Sequence, residues 1–222
     1  LAPLLVPVIF LIWAQDRHSP FYIAPRIGLG ERTFRMVKLR SMRIGADRTG
    51  VDSTSANDQR ITPIGAFVRR YKLDELMQLW NVLRGDMSLV GPRPNVERET
   101  RMYTPQEKRL LSVRPGVTDF AAIVFADEGE ILEGHADPDL AYNQLIRPWK
   151  GRLGLFYVDR QGLLLDLELV ALTAVALVSR QTALRGVAKL LASLGAPPEL
   201  AEVARRTAAL QPTAPPGSSE IV

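Results

Sequence analysis

The sequence predicts an α+β protein, mostly helical, with one short β-hairpin. Three observations carry that prediction. Ser19-Pro20 opens a short strand, Phe21-Tyr22-Ile23; after the glycine-rich turn Pro25-Arg26-Ile27-Gly28-Leu29-Gly30, Thr33 to Leu39 alternates apolar and polar residues, so the pair reads as a hairpin. Leu76, Leu79, Trp80 and Leu83 recur at helical spacing. Helix-start signals then appear at Thr62-Pro63, Thr104-Pro105 and Asp137-Pro138.

The chain has 222 residues, enough for one compact domain with a real core. It contains no cysteine, which excludes a disulfide framework and thiol chemistry. Its formal net charge of +4 suits polyanions: anionic lipid, nucleotide diphosphates or nucleic acid. With no zinc-ligand spacing, lysine run or aromatic platform, nucleic acid is the weakest of the three.

In chain order, Leu4 to Trp13 is ten residues, apolar apart from Pro7, where a spanning helix needs about 20. It reads as a buried core helix, the tail of a spanning helix, or a re-entrant helix that enters and leaves one leaflet. The sequence opens on Leu1 rather than methionine, and more of this segment is expected upstream. The hairpin delivers Lys38 and Arg40 to one end; two cations two apart on a strand share a face. Residues 45–57 are polar and aperiodic and read as a mobile loop. A helix from Pro63 to about Tyr71 follows, capped by Thr62, with Arg69, Arg70 and Lys72 at its end.

Asp74 and Glu75 come next, at the first turn of the helix marked by Leu76, Leu79, Trp80 and Leu83. Side by side, they point roughly 100° apart and can border one pocket above the buried face. A helix N-terminus there would lower an acid's pKa. Gly85 and Asp86 stop the helix, and Gly91-Pro92-Arg93-Pro94 forms a tight turn that fixes one arginine between two prolines. Arg93 is either a forked phosphate clamp or a structural arginine that satisfies carbonyls of the turn.

Beyond the turn, helices are expected over 96–103, 105–113 and 137–146. Asp127, Glu128 and Glu130 read as a solvated acidic turn. Gly162 to Val178 is strongly apolar but carries Asp166 and Glu168, so it is expected to pack on the core or lie in a membrane interface rather than span. Residues 183–210 read as a small helix–turn–helix broken at Ala196-Pro197-Pro198. The proline- and serine-rich tail from Gln211 to Val222 is expected to be disordered.

An acid pair, several arginines and no cysteine, with His18 and His135 remote in sequence, point to metal-assisted phosphoryl transfer, in which catalysis is mostly positioning and charge neutralisation. A carboxylate can also act as the nucleophile and split one displacement into two. Two other readings stay open: a carboxylate-dependent phosphohydrolase or pyrophosphatase, and a non-enzymatic peripheral membrane protein.

The string DEL-QLWNVL-GDMSLVGPRP within 74–94 resembles the signature of bacterial monotopic phosphoglycosyl transferases, and the resemblance runs from about Pro3 to Arg180. Lys38-Leu39-Arg40-Ser41-Met42 and Arg114-Pro115-Gly116-Val117-Thr118 match two further segments of that family. The resemblance implies transfer of a sugar-1-phosphate from a UDP-sugar to polyprenyl (undecaprenyl) phosphate, a first membrane step of bacterial glycan assembly. Asp74 would be the nucleophile and Glu75 would hold Mg2+ or position the lipid phosphate. Lys38, Arg40, Arg69, Arg93 and Arg114 would contact phosphates or nucleotide. It also implies a monotopic placement on the cytoplasmic face of the inner membrane, with residues 1–17 as a re-entrant helix whose Pro3, Pro7, Phe10 and Trp13 meet lipid. Residues 18–180 would be the catalytic domain and 181–210 a helical extension. Nucleic acid is not an expected partner, and oligomerisation is left open. The chain departs from the family's pattern after Thr118: Asp119-Phe120-Ala121-Ala122 stands where many members have Gly-Trp, and the Asn-Gly-Arg that follows there is missing.

Overall fold

The computed structural model describes residues 2–46, 54–55 and 57–221, with the side chains of 2–4 outside that description. The Pro3 side chain and residues 47–53 and 56 of the expected loop therefore lie outside the described residues, as does Val222. The chain is mostly helical. Helix α1 (Ala2–Ala14) leads into strands β1 (Phe21–Ile27) and β2 (Thr33–Leu39), which pair antiparallel with Tyr22 opposite Lys38. The hairpin is the predicted one, but Pro25, Arg26 and Ile27, read as part of the turn, extend β1 and pair with Arg35, Phe34 and Thr33.

Helix α2 (Pro63–Arg70) starts as its signals require: the Thr62 hydroxyl accepts from the Gly65 N–H at 2.9 Å and Pro63 takes a first-turn position that needs no N–H. A 3₁₀ helix (Leu73–Met77), α3 (Gln78–Leu83) and β3 (Ser88–Val90) follow. Strand β3 pairs parallel with β4 (Gly116–Thr118), a second small sheet that the sequence pattern did not announce. Between them lie α4 (Glu97–Arg101) and a 3₁₀ helix (Glu107–Ser112). The helix expected over 105–113 forms as this shorter 3₁₀ helix, and Thr104 opens it with a reciprocal cap: the Thr104 N–H donates to Glu107 Oε2 and the Glu107 N–H donates to the Thr104 hydroxyl.

Short helices α5 (Phe120–Val124), α6 (Glu128–Ile131) and α7 (Pro138–Ala141) precede three long ones, α8 (Arg147–Arg160), α9 (Leu163–Val178) and α10 (Arg180–Ser193), and then α11 (Pro198–Arg205). The main core joins α5 and α8 to α11 through Phe120, Val124, Leu153, Leu169, Leu184, Leu191 and Leu200. A smaller core joins α1, β2 and α2 through Val8, Ile12, Leu39, Val68 and Leu73. One face of α1 is thus buried, while Val6, Phe10 and Leu11 are exposed. Pro7 sits inside this helix, and Trp13 is half-buried with the Arg17 guanidinium 4.4 Å from its ring centroid. Among the described residues, no helix is long and apolar enough to cross a membrane.

Two expectations are corrected by packing. Of the apolar stripe read as the buried face, Leu76 packs on the smaller core and Leu79 is half-buried, but Trp80 and Leu83 are 54% and 81% exposed while Gln78 and Asn81 are buried. The tail is not free chain: Pro215 and Pro216 are buried, Pro216 lies against Gly151 of α8, and the Thr213 N–H donates to the Gln144 carbonyl at 3.0 Å. Helix α9 packs on the core through Leu165 and Leu169 and exposes Leu163, Leu164, Leu167 and Val178.

Candidate active site

The acid pair lies where β2, α2 and the proline turn converge. Lys72 takes a left-handed conformation (φ 56°, ψ 24°) that reverses the chain after α2, and Leu73 is buried in the smaller core. The pair is therefore carried on a tight 3₁₀ helix rather than on the first turn of an α-helix. Gly65 lets α2 reach this position: a Cβ there would stand 1.8 Å from the Ser41 carbonyl oxygen.

Asn81 fixes the strand beside the pair. Its Oδ1 accepts from the Val37 N–H at 2.9 Å and its Nδ2 donates to the Arg35 carbonyl at 2.8 Å, so its amide meets the outer edge of β2 as another strand would. Lys38, the next residue, is held half-buried beside Asp74, Glu75 and Arg93. Burial, and then the Arg93 charge, lower its pKa to about 8 against the pull of the two acids.

Arg93 is positioned by backbone contacts. The Gly116 N–H donates to the Pro92 carbonyl at 3.0 Å, the Ser88 N–H to the Pro115 carbonyl at 2.8 Å and the Gly91 N–H to the Thr118 carbonyl at 3.0 Å. A Cβ on Gly116 would stand 2.1 Å from the Gly91 nitrogen, so both turns need glycine for this approach. Arg93 then donates from Nη2 to Glu75 Oε1 at 2.8 Å.

The two acids are driven apart electrostatically. Burial raises the pKa of Asp74, Glu75 raises it further, and Lys38, Arg69 and Arg93 oppose without reversing the direction. Burial also pushes Glu75 upward, but Arg93, Lys72 and Lys38 outweigh it and hold Glu75 at about 2. The lowering expected for an acid at a helix N-terminus is therefore not what Asp74 experiences; desolvation wins. Among the described residues, Asp74 Oδ1 is buried and finds no hydrogen-bond partner. An orphaned carboxylate oxygen next to an ionised carboxylate fits a hard cation such as Mg2+, which binds through one or two carboxylates and takes its other ligands from phosphates and water. Among the described residues, no group of three or more His, Cys, Asp or Glu could hold a metal by itself.

The other candidates divide. Arg69 bears on Asp74 electrostatically. Arg40 does not join the site: its guanidinium binds both Asp16 carboxylate oxygens, at 2.6 and 2.7 Å, and donates to the Ser19 and Ile12 carbonyls. Strand β2 ends at Leu39, so Arg40 has left the face it was expected to share with Lys38 and instead locks the end of α1 to the hairpin. Arg114 is exposed, and its carbonyl rather than its side chain is what the Gly91 turn approaches. His18 pairs with Asp16 and His135 is exposed.

Sequence reasoning missed Glu128 and Lys150. The turn read as solvated carries Glu128 against Lys150, and Lys150 Nζ lies 5.1 Å from the centroid of the Tyr142 ring. Burial pushes the pKa of Glu128 upward, but Lys150, Arg93 and Lys72 outweigh it and lower it. Asp119 caps α5 through the Ala122 N–H and is buried, which lifts it to about 6 against the opposing charges of Lys150 and Arg93. Asp127 is claimed by Arg180 and Arg206, at 2.7 and 3.2 Å; of the three acids only Glu130 is exposed. The missing Asn-Gly-Arg was the one sequence signal that this stretch is built differently.

A buried carboxylate beside one held ionised, with a lysine and an arginine alongside, makes a candidate site for an anionic substrate. The family model described as bacterial sugar transferase matches residues 1–180. The chain belongs to that family. It is 36% identical over 187 residues to the UDP-glucose:undecaprenyl-phosphate glucose-1-phosphate transferase of Xanthomonas campestris pv. campestris, covering 82% of this chain and 36% of that protein. It is 35% identical over 168 residues to the UDP-N-acetylgalactosamine-undecaprenyl-phosphate N-acetylgalactosaminephosphotransferase of Aeromonas hydrophila, covering 72% and 39%. Against the undecaprenyl-phosphate glucose phosphotransferase of Komagataeibacter xylinus it is 36% identical over 181 residues, covering 78% and 32%. The chain spans about a third of the length of these relatives.

Proposed function

We propose that this protein transfers a sugar-1-phosphate from a UDP-sugar to polyprenyl (undecaprenyl) phosphate, giving a polyprenyl-diphosphate sugar and UMP. The observation that carries the reading is the Asp74–Glu75 pair, one carboxylate buried and raised in pKa and the other held ionised by Arg93. A raised pKa makes a carboxylate oxygen a better nucleophile once it is ionised and aimed, and opposite shifts in adjacent acids let them take different roles. Asp74 attacks the β-phosphorus of the donor; the bond from that phosphorus to the bridging oxygen breaks, and UMP leaves with the electron pair. The phospho-sugar stays on Asp74 as an acyl phosphate. An oxygen of polyprenyl phosphate then attacks the same phosphorus and frees the Asp74 carboxylate. Lys38 and Arg93 hold the phosphates and offset their charge. Mg2+ held by Asp74 and Glu75 would supply further charge neutralisation.

The acceptor is a lipid, and the outward residues suit it. Phe10 and Leu11 on α1 and Trp80 and Leu83 on α3 are exposed apolar side chains, and the first pair lies on a helix whose other face joins the smaller core. On this reading α1 enters one leaflet, with Pro3, Pro7 and Trp13 in the same segment. The enzyme then meets its soluble donor at the headgroup level of the inner membrane's cytoplasmic face.

The test is intact-mass measurement of the detergent-purified protein after incubation with Mg2+ and a panel of UDP-sugars without acceptor. A hexose-phosphate adduct that disappears on adding polyprenyl phosphate, and never forms in Asp74→Asn, is the expected result. Asp74→Asn should also lower UMP release at least about 1,000-fold, as loss of a nucleophile does. No adduct and no UMP release with any donor, with or without the lipid, would overturn the reading. Free sugar phosphate released without acceptor would favour a hydrolase instead.

A further inference from the structure

We propose that Tyr103 is a positioning residue for the transfer: by way of Asn95 it holds Arg93 where that arginine meets the donor's phosphates. This inference rests on the transfer reading above. The two prolines around Arg93 fix φ on either side of it, but the turn as a whole stays in place only if both of its ends are tied. The entry is tied to β4, where the Pro92 carbonyl accepts from the Gly116 N–H at 3.0 Å. The exit is tied at Asn95, and twice. The Asn95 carbonyl accepts from the Ile27 N–H, at the end of β1, at 3.0 Å, and its Nδ2 donates to the Tyr103 hydroxyl at 2.9 Å. Two residues back, Arg93 keeps its bond to Glu75 while its side chain is 35% exposed, open enough to meet a phosphate.

Close packing does not hold the turn by itself. Pro92, Arg93, Pro94, Tyr103, Ile27 and Pro115 line one cavity of about 10 Å³, room for about one water molecule and for no side chain. Where packing is incomplete, position rests on hydrogen bonds, which fix angles as well as distances. Tyr103 is itself anchored. It follows α4 and lies half-buried, with the Arg147 guanidinium 5.8 Å from its ring centroid. Arg147 donates to both carboxylate oxygens of Glu107, at 3.1 and 2.7 Å, and to the carbonyl of Met102, the residue before Tyr103, at 2.6 Å. The side chains of that ion pair are 5% and 1% exposed, and its forked geometry fixes direction as well as distance. Tyr103 thus stands on a rigid base and reaches, through Asn95, the free end of the arginine turn.

Full-length wild type, Tyr103→Phe, Asn95→Ala and their double variant are compared for UMP release from the donor panel, with undecaprenyl phosphate as acceptor, and for UDP binding by titration calorimetry. Tyr103→Phe, which removes a single oxygen, should raise the donor KM and the UDP Kd together, by about 3- to 10-fold, the size of one lost hydrogen bond. Asn95→Ala should raise both at least as far. The double variant should be no worse than the worse single one, because the two substitutions cut the same bond. In an Arg93→Lys background, Tyr103→Phe should change the UDP Kd less than about twofold, since its effect runs through the guanidinium. Neither KM nor Kd depends on how much of a sample is folded, so a purely structural tyrosine would lower the active fraction and leave both constants alone. Two results overturn the proposal while leaving the transfer reading intact: wild-type KM and Kd in both Tyr103→Phe and Asn95→Ala, or the same rise in Kd from Tyr103→Phe with and without Arg93→Lys. A wild-type protein that consumes no UDP-sugar sinks both readings.

Discussion

The two halves of the molecule are held together by different means. Around α8 to α11 the interior is mostly apolar, with Phe120, Leu153, Leu169, Leu184 and Leu191 essentially without exposed surface and one ion pair, Arg147 with Glu107, buried at its edge. Around the hairpin and the acid pair the apolar core is small, and Arg40, Thr62, Asp74, Gln78 and Asn81 are buried with it. Hydrophobic contacts are non-directional, whereas hydrogen bonds fix angles as well as positions. The half that must aim charged groups is thus built from directional contacts, and the other half serves as its base. A thin core also leaves carboxylates and cations close enough together to shift one another's pKa.

That contrast can be broken in three ways of decreasing severity. Leu153→Ala in the apolar half should cost about 2–5 kcal/mol in denaturant unfolding, because a fully buried leucine leaves a cavity. The pH profile of the surviving activity should not move. Asn81→Ala should cost less, about 1–3 kcal/mol, by leaving the Val37 N–H and Arg35 carbonyl unmet. Its effect on kcat/KM should be disproportionate, up to about 100-fold, because Lys38 loses its fixed place. A variant that loses stability and activity in the same proportion as Leu153→Ala would refute the distinction.

The mildest perturbation is pH alone. With its pKa lowered from 10.5 to about 8, Lys38 binds fewer protons folded than unfolded between those values. Stability therefore gains from this group as pH rises through that window, because the unfolded chain holds the extra proton. Activity should move the other way, with kcat/KM falling above about pH 8 as the cation is lost. Lys38→Arg should carry the fall to higher pH; a profile that Lys38→Arg leaves unmoved would exclude this role for Lys38.

What could be read from the sequence was what local rules decide. The hairpin follows from alternation, and the starts of α2 and α7 from Thr62-Pro63 and Asp137-Pro138, whose side chains cap as expected. Rules blind to distant partners failed. Helical spacing placed Trp80 and Leu83 on one face correctly but on the wrong side of the helix, because Asn81 satisfies two backbone groups of β2 and turns the polar side inward. The tail looked too polar and proline-rich to fold, yet Gly151 leaves room on α8 for Pro216. Within the candidate site, adjacency brought Asp74 and Glu75 to notice but not the direction of the Asp74 shift, which depends on burial. Glu128 was invisible for the same reason: its partner Lys150 is 22 residues away.

The bare backbone contact between Gly91 and Gly116 has a mechanical consequence. Strand β3 runs straight into Gly91 and β4 starts at Gly116, and with no side chain between the two turns to act as a cushion neither can slide without the other. Arg93 sits two residues past one end of this weld, and Asp119 and α5 follow directly from the other. A side chain introduced at either glycine should therefore shift both Arg93 and the start of α5.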